Sequence, residues 1–155
     1  MKLGVVNIKQ NYLEKAEIVN VTPLDIQETT LSIIVRVKGK ELKCFVSDSR
    51  EKGYFSVEEK CEVFFSLMTW SKKLVKARNE IKEIRTEELK GTPNHCFLSG
   101  KIIDFLPLGV NYKYGIVDCG IFVAVEIPTD SELKIGDYIT AEGRLDTRKV
   151  KEENV

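Results

Sequence analysis

The sequence has few of the residues from which metal and catalytic sites are built. Its 155 residues include one histidine, His95, and four cysteines, none of which forms a Cys-x-x-Cys pair. Zinc sites need closely spaced ligand pairs, and acid–base or nucleophilic catalysis needs a base with a partner. No Gly-Lys-Ser/Thr phosphate-binding sequence occurs either. We therefore expect no metal, no cofactor and no enzymatic activity.

The sequence also has no long apolar run and no excess of one charge. No stretch approaches the roughly 20 apolar residues that a bilayer-spanning helix needs. The amino terminus turns polar after a short apolar patch, unlike a secretory signal. The 24 basic residues balance the 24 acidic ones, so net charge does not indicate a polyanionic partner. These features predict a cytoplasmic protein without membrane association.

What the chain does contain is the same pattern twice. The stretch IVNVTPL at 18–24 is matched 84 residues later by IIDFLPL at 102–108. In both places a loop, two β-branched segments and a polar Asp-Ser follow in the same order. Self-similarity at a fixed order is the usual mark of a duplicated unit. We therefore predict two copies of one small fold.

Within each copy, apolar and polar residues alternate. The odd-numbered residues of 31–37 are apolar and share one face, and this period of two is typical of half-buried strands. Gly39 and Gly120 offer hairpin turns. Cys44 and Cys119 alternate with apolar neighbours and are predicted to be small core residues. The sequence therefore predicts a mostly β protein.

The order of these strands resembles the oligonucleotide/oligosaccharide-binding (OB) fold, above all in YGIVDCGIFVAVEIP at 114–128 and LKIGDYITAEGRLD at 133–146. The resemblance implies two tandem small OB-like β-barrels, residues 1–90 and 98–155, joined by a linker at 91–97. Only TRKVKEENV remains for a fifth strand of the second barrel. That barrel is either incomplete or completed by the other copy or by a partner chain.

The segment 74–90 is ambiguous between a helix and a strand. Leu74, Ala77, Ile81 and Ile84 fall near helical spacing, yet the segment also fits a closing strand followed by a linker. We expect a strand at 74–85 and a polar linker after it.

The resemblance to OB barrels implies a site for single-stranded nucleic acid on the second and third strands and the adjoining loops. Such a site needs cations for phosphates and aromatic rings for bases, and Trp70 would contribute most because stacking is worth roughly 1–3 kcal/mol per base. The predicted nucleic-acid-binding residues are Arg36, Lys38, Lys43, Phe45, Trp70, Lys72, Lys73, Lys76, Arg78, Tyr112, Lys113 and Tyr114.

Other interpretations of these residues stay open. Lysines are ordinary on soluble surfaces and protect strand edges, and Trp70 could close the end of a barrel. In the alignment of the two copies, Asp118 corresponds to Arg36 and Glu126 corresponds to Ser47. Because carboxylates repel phosphates, this face of the second copy is a poor phosphate site. The first hypothesis is a non-enzymatic protein that binds single-stranded DNA or RNA with little sequence preference. The alternatives are a protein-interaction module that joins a partner or a second copy at a barrel edge, and a binder of small anions or oligosaccharides.

Overall fold

The computed structural model describes residues 12–47, 55–69, 73–89 and 92–150. These residues form ten β-strands and no α-helix. The strands are β1 (Glu14–Pro23), β2 (Leu31–Val37), β3 (Lys40–Val46), β4 (Lys60–Thr69), β5 (Val75–Lys76), β6 (Glu83–Leu89), β7 (Thr92–Pro107), β8 (Tyr112–Asp118), β9 (Phe122–Pro128) and β10 (Tyr138–Lys149).

All ten strands belong to one mixed sheet, and eight of them close into a ring. The sheet order is β5-β10-β3-β2-β1-β4-β9-β8-β7-β6, and β10 also pairs with β4 and β7. The β10–β7 pairing closes the ring, and the β10–β4 pairing crosses it. We call the strands β1, β2, β3, β10 and β4 the first circuit, and β7, β8, β9, β4 and β10 the second circuit. Each circuit is closed by hydrogen-bonded pairs.

The alternation read from the sequence decides which side chains fill the interior. All four odd-numbered residues of β2 are buried, while Arg36 on the opposite face is exposed. In β10, Ile139, Ala141 and Leu145 point inward in the same way. One cluster of buried apolar side chains contains residues from both halves of the chain. The prediction of a mostly β protein is confirmed, and Cys44 and Cys119 are buried as expected.

The two copies have the same irregularity at corresponding positions. The β1–β2 register shifts between Ile18 and Asn20, and the β7–β8 register shifts between Ile102 and Asp104, 84 residues later. A shift of this kind is a bulge that bends the strand and strengthens its twist. It lets β1 and β7 each curve from one partner to the next around a circuit.

The strands β4 and β10 form a ribbon that both circuits share. Lys60 pairs with Glu17, and Tyr138 pairs with Lys101, so a residue of β4 corresponds to the residue 78 positions later in β10. Leu67 and Leu145 are 78 positions apart and are also paired with each other. An approximate twofold axis therefore passes through this leucine pair, and both side chains are fully buried.

The first half of each ribbon strand pairs with a strand of its own copy, and the second half pairs with a strand of the other copy. β4 is antiparallel to β1 at 60–63 and parallel to β9 at 65–67. β10 is antiparallel to β7 at 138–144, then parallel to β3 where Asp146 meets Phe45. Gly143 allows the crossing, since a Cβ there would collide with the Met68 carbonyl oxygen. The second circuit is thus completed by a strand of the first copy.

The structure contains a single continuous sheet, and two tandem barrels are not confirmed. The segment 91–97, predicted to be a linker, belongs to β7 from Thr92 onward, so the division of the chain there stays a prediction. The segment 74–85 is not one strand: β5 covers only two residues, and β6 extends to Leu89, where a linker was expected.

We predict that Leu67→Ala and Leu145→Ala lower the free energy of unfolding by similar amounts, about 2–5 kcal/mol, as is typical for a buried leucine. Because the ribbon belongs to both circuits, each variant should still unfold in one transition. Urea unfolding followed in parallel by Trp70 fluorescence and far-UV circular dichroism checks this. Val75→Ala, at an exposed position, is the control and should change stability by less than about 0.5 kcal/mol. Separate transitions for the two signals would contradict the shared ribbon.

Candidate functional site

The residues predicted to bind nucleic acid lie in four parts of the sheet. Those that the structure describes are at the tip of the β2–β3 hairpin, along β3, around β5, and at the start of β8. In that order they are Arg36 and Lys38; Lys43 and Phe45; Lys73, Lys76 and Arg78; and Tyr112, Lys113 and Tyr114. Trp70 and Lys72 lie outside the described residues.

Arg36 is held between two carboxylates of neighbouring strands. Its Nη1 lies 3.2 Å from Glu17 Oε1 and its Nη2 lies 2.8 Å from Glu41 Oε2. The hydrogen bond with Glu41 is the main reason why the pKa of the guanidinium is raised. The three side chains are substantially exposed, so the pairs stabilise the fold little. They do reduce the positive charge that Arg36 presents to a ligand.

Lys38 connects the two circuits. Its Nζ lies 3.4 Å from Glu14 Oε1 and 6.0 Å from the centre of the Phe122 ring on β9. Glu14 is only 4% exposed, and its other carboxylate oxygen accepts a hydrogen bond of 2.8 Å from the Phe122 backbone N–H. A buried carboxylate needs such partners. Lys38 therefore has a structural role at the contact between the first hairpin and β9.

Beside this hairpin lies an open groove of about 620 Å³, which we call the basic groove. Its charged lining consists of Lys15, Glu17, Arg36, Lys38, Lys60 and Glu62. Lys15 is paired in register with Glu62, and Glu17 with Lys60, across β1 and β4. Four cations thus line the groove together with two carboxylates. Lys15 and Lys60 were missed by sequence reasoning, because only the β1–β4 pairing brings them beside Arg36.

Cys61, also in the basic groove, is not an active thiol. Partial burial raises its pKa to about 11. The nucleophile and metal ligand is the thiolate, which such a thiol does not supply near neutral pH.

Most of the remaining predicted cations also have partners. Lys73 Nζ lies 4.0 Å from Glu142 Oε2, and Lys76 Nζ lies 3.5 Å from Asp137 Oδ1. Lys113 Nζ lies 4.2 Å from the centre of the Phe105 ring. Such surface contacts are weak, but they lower the positive potential available to phosphates. Arg78 is exposed.

One face of the Phe45 ring already has a partner. The guanidinium of Arg144 lies 4.2 Å from the centre of its ring. The registers also correct the alignment of the copies. Phe45 faces Ser32 and Glu126 faces Tyr114 at equivalent places in the two hairpins. Phe45 therefore corresponds to Glu126, two residues further than the sequence alignment placed it.

Around the ribbon, the second circuit contains a smaller cavity, which we call the polar pocket. It has a volume of about 190 Å³, and its lining includes Phe64, Ser66, Tyr114, Glu126, Asp146 and Arg148. Asp146 lies opposite Ser66 across the ribbon, and Arg148 lies opposite Phe64. Of the pocket residues, only Tyr114 is among the predicted nucleic-acid-binding residues, and the sequence did not predict that these residues meet, since they come from strands far apart in the chain.

The charges of the polar pocket are only partly matched. Arg144 holds Asp146 through two hydrogen bonds, Nε–Oδ1 at 2.7 Å and Nη2–Oδ2 at 2.9 Å. No ion pair within 4.0 Å among the described residues includes Glu126 or Arg148. Burial, with a smaller contribution from Asp146, raises the pKa of Glu126, and the positive charge of Arg144 offsets part of this effect. Burial also raises the pKa of Tyr114, which therefore remains a neutral hydroxyl.

His95 has a partner that the sequence did not reveal. It is 4% exposed on β7, and its Nε2 lies 3.1 Å from Glu142 Oε1 on β10. The two residues are 47 positions apart and meet through the β7–β10 pairing. No local sequence signal marks this contact, and it lies outside both cavities described above.

The comparisons with known proteins do not add a family assignment. No family model matches the chain, and no curated protein matches it significantly. In the part of the chain that the structure describes, no helix has the length and apolar character needed to span a membrane. No group of three or more potential metal ligands is found among those residues.

We predict that Glu126→Gln makes the protein more stable than wild type at pH 7. The folded-state pKa of Glu126 is raised, so the folded protein holds this proton more tightly than the unfolded chain does. Ionised Glu126 therefore opposes folding at neutral pH, and this effect disappears as the pH falls below the unfolded value near 4.5. Urea unfolding at pH 7 and pH 4 should show a stability difference between the two proteins that shrinks at the lower pH.

The matched control is Glu132→Gln, which changes an exposed carboxylate in the β9–β10 loop. It should leave stability unchanged at both pH values. A Glu126→Gln variant that is less stable than wild type at pH 7 would show that the carboxylate has a stabilising partner.

Proposed function

We propose that the protein is a non-enzymatic binding protein that holds single-stranded nucleic acid along the basic groove. The observation that carries this proposal is the set of four cations, Lys15, Arg36, Lys38 and Lys60, along one open concave surface. Two of them, Arg36 and Lys38, belong to the site proposed from the sequence. Neither Lys15 nor Lys60 has an ion pair within 4.0 Å among the described residues.

The arrangement of strands supports the same proposal. Each circuit contains five strands, in agreement with the five-stranded OB barrel suggested by the sequence, and the second and third strands of that fold bind single strands. The basic groove lies at the end of the β2–β3 hairpin in the first circuit. Because Arg36 and Lys38 already have carboxylate partners, most of the phosphate binding is assigned to Lys15 and Lys60. The affinity should be modest and strongly dependent on salt.

We predict that labelled mixed-sequence DNA and RNA single strands bind at low salt, with log affinity falling linearly with log salt concentration. Neutralising two to four phosphates corresponds to a slope of about −1.4 to −2.8, at about −0.7 per phosphate. Fluorescence anisotropy measures both quantities. The double variant Lys15→Glu/Lys60→Glu should weaken binding at least tenfold. The matched control Lys101→Glu/Lys134→Glu has the same change in net charge outside the groove and should bind much more tightly than the groove variant. Equal loss in both variants, or no binding at low salt, would overturn the proposal.

A second candidate function, recognition of a protein partner, is favoured by the β1–β2 and β7–β8 loops. The loops repeat one pattern, PLDIQ at 23–27 and PLGVN at 107–111. In each, the aliphatic residue at the tip is almost fully exposed, Ile26 at 95% and Val110 at 90%. Single exposed apolar residues are normal. Their repetition at equivalent positions in two diverged copies is the specific observation.

Both loops are held by hydrogen bonds. Asp25 accepts hydrogen bonds from the backbone N–H groups of Thr29 and Thr30, at 2.8 and 3.2 Å. The Thr129 hydroxyl lies 3.3 Å from the carbonyl oxygens of Val110 and Asn111. An apolar tip presented by an ordered loop loses little conformational entropy on binding.

We predict that a photo-crosslinking residue at position 26 and one at position 110 capture the same protein in the native cell. The same residue at position 135, which replaces the exposed Ile135 of the β9–β10 loop, is the control and should not capture it. Mass spectrometry of the crosslinked products decides the outcome. Capture of the same set of proteins from all three positions would contradict a specific role for the loops.

A further inference from the structure

We propose that the polar pocket binds a small zwitterion, a molecule that carries both an ammonium and a carboxylate group. In this site Glu126 receives the ammonium group and Arg148 receives the carboxylate group. The site is separate from the basic groove, because none of the residues used here lines that groove.

The approximate symmetry of the chain explains why a cavity exists here. In the first circuit, the guanidinium of Arg144 lies over the ring of Phe45, 4.2 Å from its centre. The equivalent residues of the second circuit are Glu126 and Ser66, as the strand registers establish. Serine is much shorter than arginine and cannot cover its neighbour. The contact between Arg144 and Phe45 in one copy therefore has no counterpart between Ser66 and Glu126 in the other, and these two residues line the polar pocket.

The charges of the lining select the kind of ligand. Asp146 is already neutralised by the two hydrogen bonds from Arg144. This leaves Glu126 and Arg148, which line the same cavity without an ion pair to each other or to any other described residue. A simple anion would be repelled by Glu126, and a simple cation by Arg148. A molecule with one charge of each sign is attracted at both ends.

The size and the neutral groups of the polar pocket define the ligand further. Its volume of about 190 Å³ is below the roughly 300–1,000 Å³ of pockets that hold drug-sized ligands. The polar pocket therefore suits a small ligand of about the size of an amino acid. Ser66 and Tyr114 add two hydroxyl groups, and the Phe64 ring packs edge-on against Tyr114 with the ring centres 6.2 Å apart. The unfavourable ionisation of Glu126 in the free protein is relieved when an ammonium group binds beside it.

The experiment uses glycine, L-alanine and γ-aminobutyrate as probes, because they differ in the distance between the two charges. Acetate and methylamine, each with one of the charges, are the matched controls. Amide chemical shifts of the full chain are followed by NMR during each titration. At least one zwitterion should cause saturable shifts at Ser66, Glu126 and Arg148, with an affinity at least tenfold above that of either control.

Two variants decide whether the proposed groups bind the probe. Glu126→Gln and Arg148→Gln should each weaken binding at least tenfold, while Glu132→Gln, outside the polar pocket, should bind as wild type does. The amide spectrum of each variant confirms that it is folded, and Glu126→Gln is expected to keep the fold because it removes a half-buried charge whose ionisation is disfavoured. Absence of binding by all three zwitterions would overturn the proposal. Equal binding of acetate or methylamine, or unchanged binding by folded Glu126→Gln, would also overturn it. None of these results depends on whether nucleic acid binds.

Discussion

In the middle of the ring, the backbones of β4 and β10 are hydrogen-bonded to each other, with Leu67 paired to Leu145 beneath them. Outside this pairing, each copy supplies a meander of three antiparallel strands, and a meander alone has two open edges. The ribbon covers both edges of both meanders, since β4 pairs with β1 and β9, and β10 pairs with β3 and β7. The copies are therefore mutually dependent, and one apolar interior extends through both.

Strand pairing also places many of the basic side chains beside carboxylates. Residues on one face of neighbouring strands meet across the sheet, so opposite charges far apart in sequence become partners. Arg36 lies between Glu17 and Glu41, and Lys149 Nζ lies 2.6 Å from Glu59 Oε2. Cations without an ion pair within 4.0 Å among the described residues are then the informative ones. In the basic groove these are Lys15 and Lys60, which lie opposite Glu62 and Glu17 in the β1–β4 register but form no such ion pair.

Features that depend on neighbouring residues could be predicted from the sequence, whereas contacts that depend on long-range pairing could not. Alternation at 31–37 indicated β2 and its buried face correctly, because the period of two is a local property. The extension of β7 through the expected linker depends on β6 and β10 on its two sides, which no local pattern reveals. The site follows the same rule. Tyr114 could be named from its ring, but its neighbours Ser66 and Arg148 are brought to it by the ribbon.

Duplication followed by divergence offers a physical route to a binding site in this fold. Two equivalent places on one backbone received different side chains: Phe45 with Arg144 in the first circuit, and Glu126 with Ser66 in the second. In the first pair, the guanidinium of Arg144 covers one face of the Phe45 ring. The second leaves a cavity with a carboxylate whose ionisation is disfavoured by burial. A protein needs only the stability that its function requires. The ribbon and the interior that both copies share therefore allow the second copy to keep Glu126, whose ionisation opposes folding. A ligand site is expected at a position where one copy keeps an unpaired charge in a cavity while the equivalent position of the other copy has its side chains in contact.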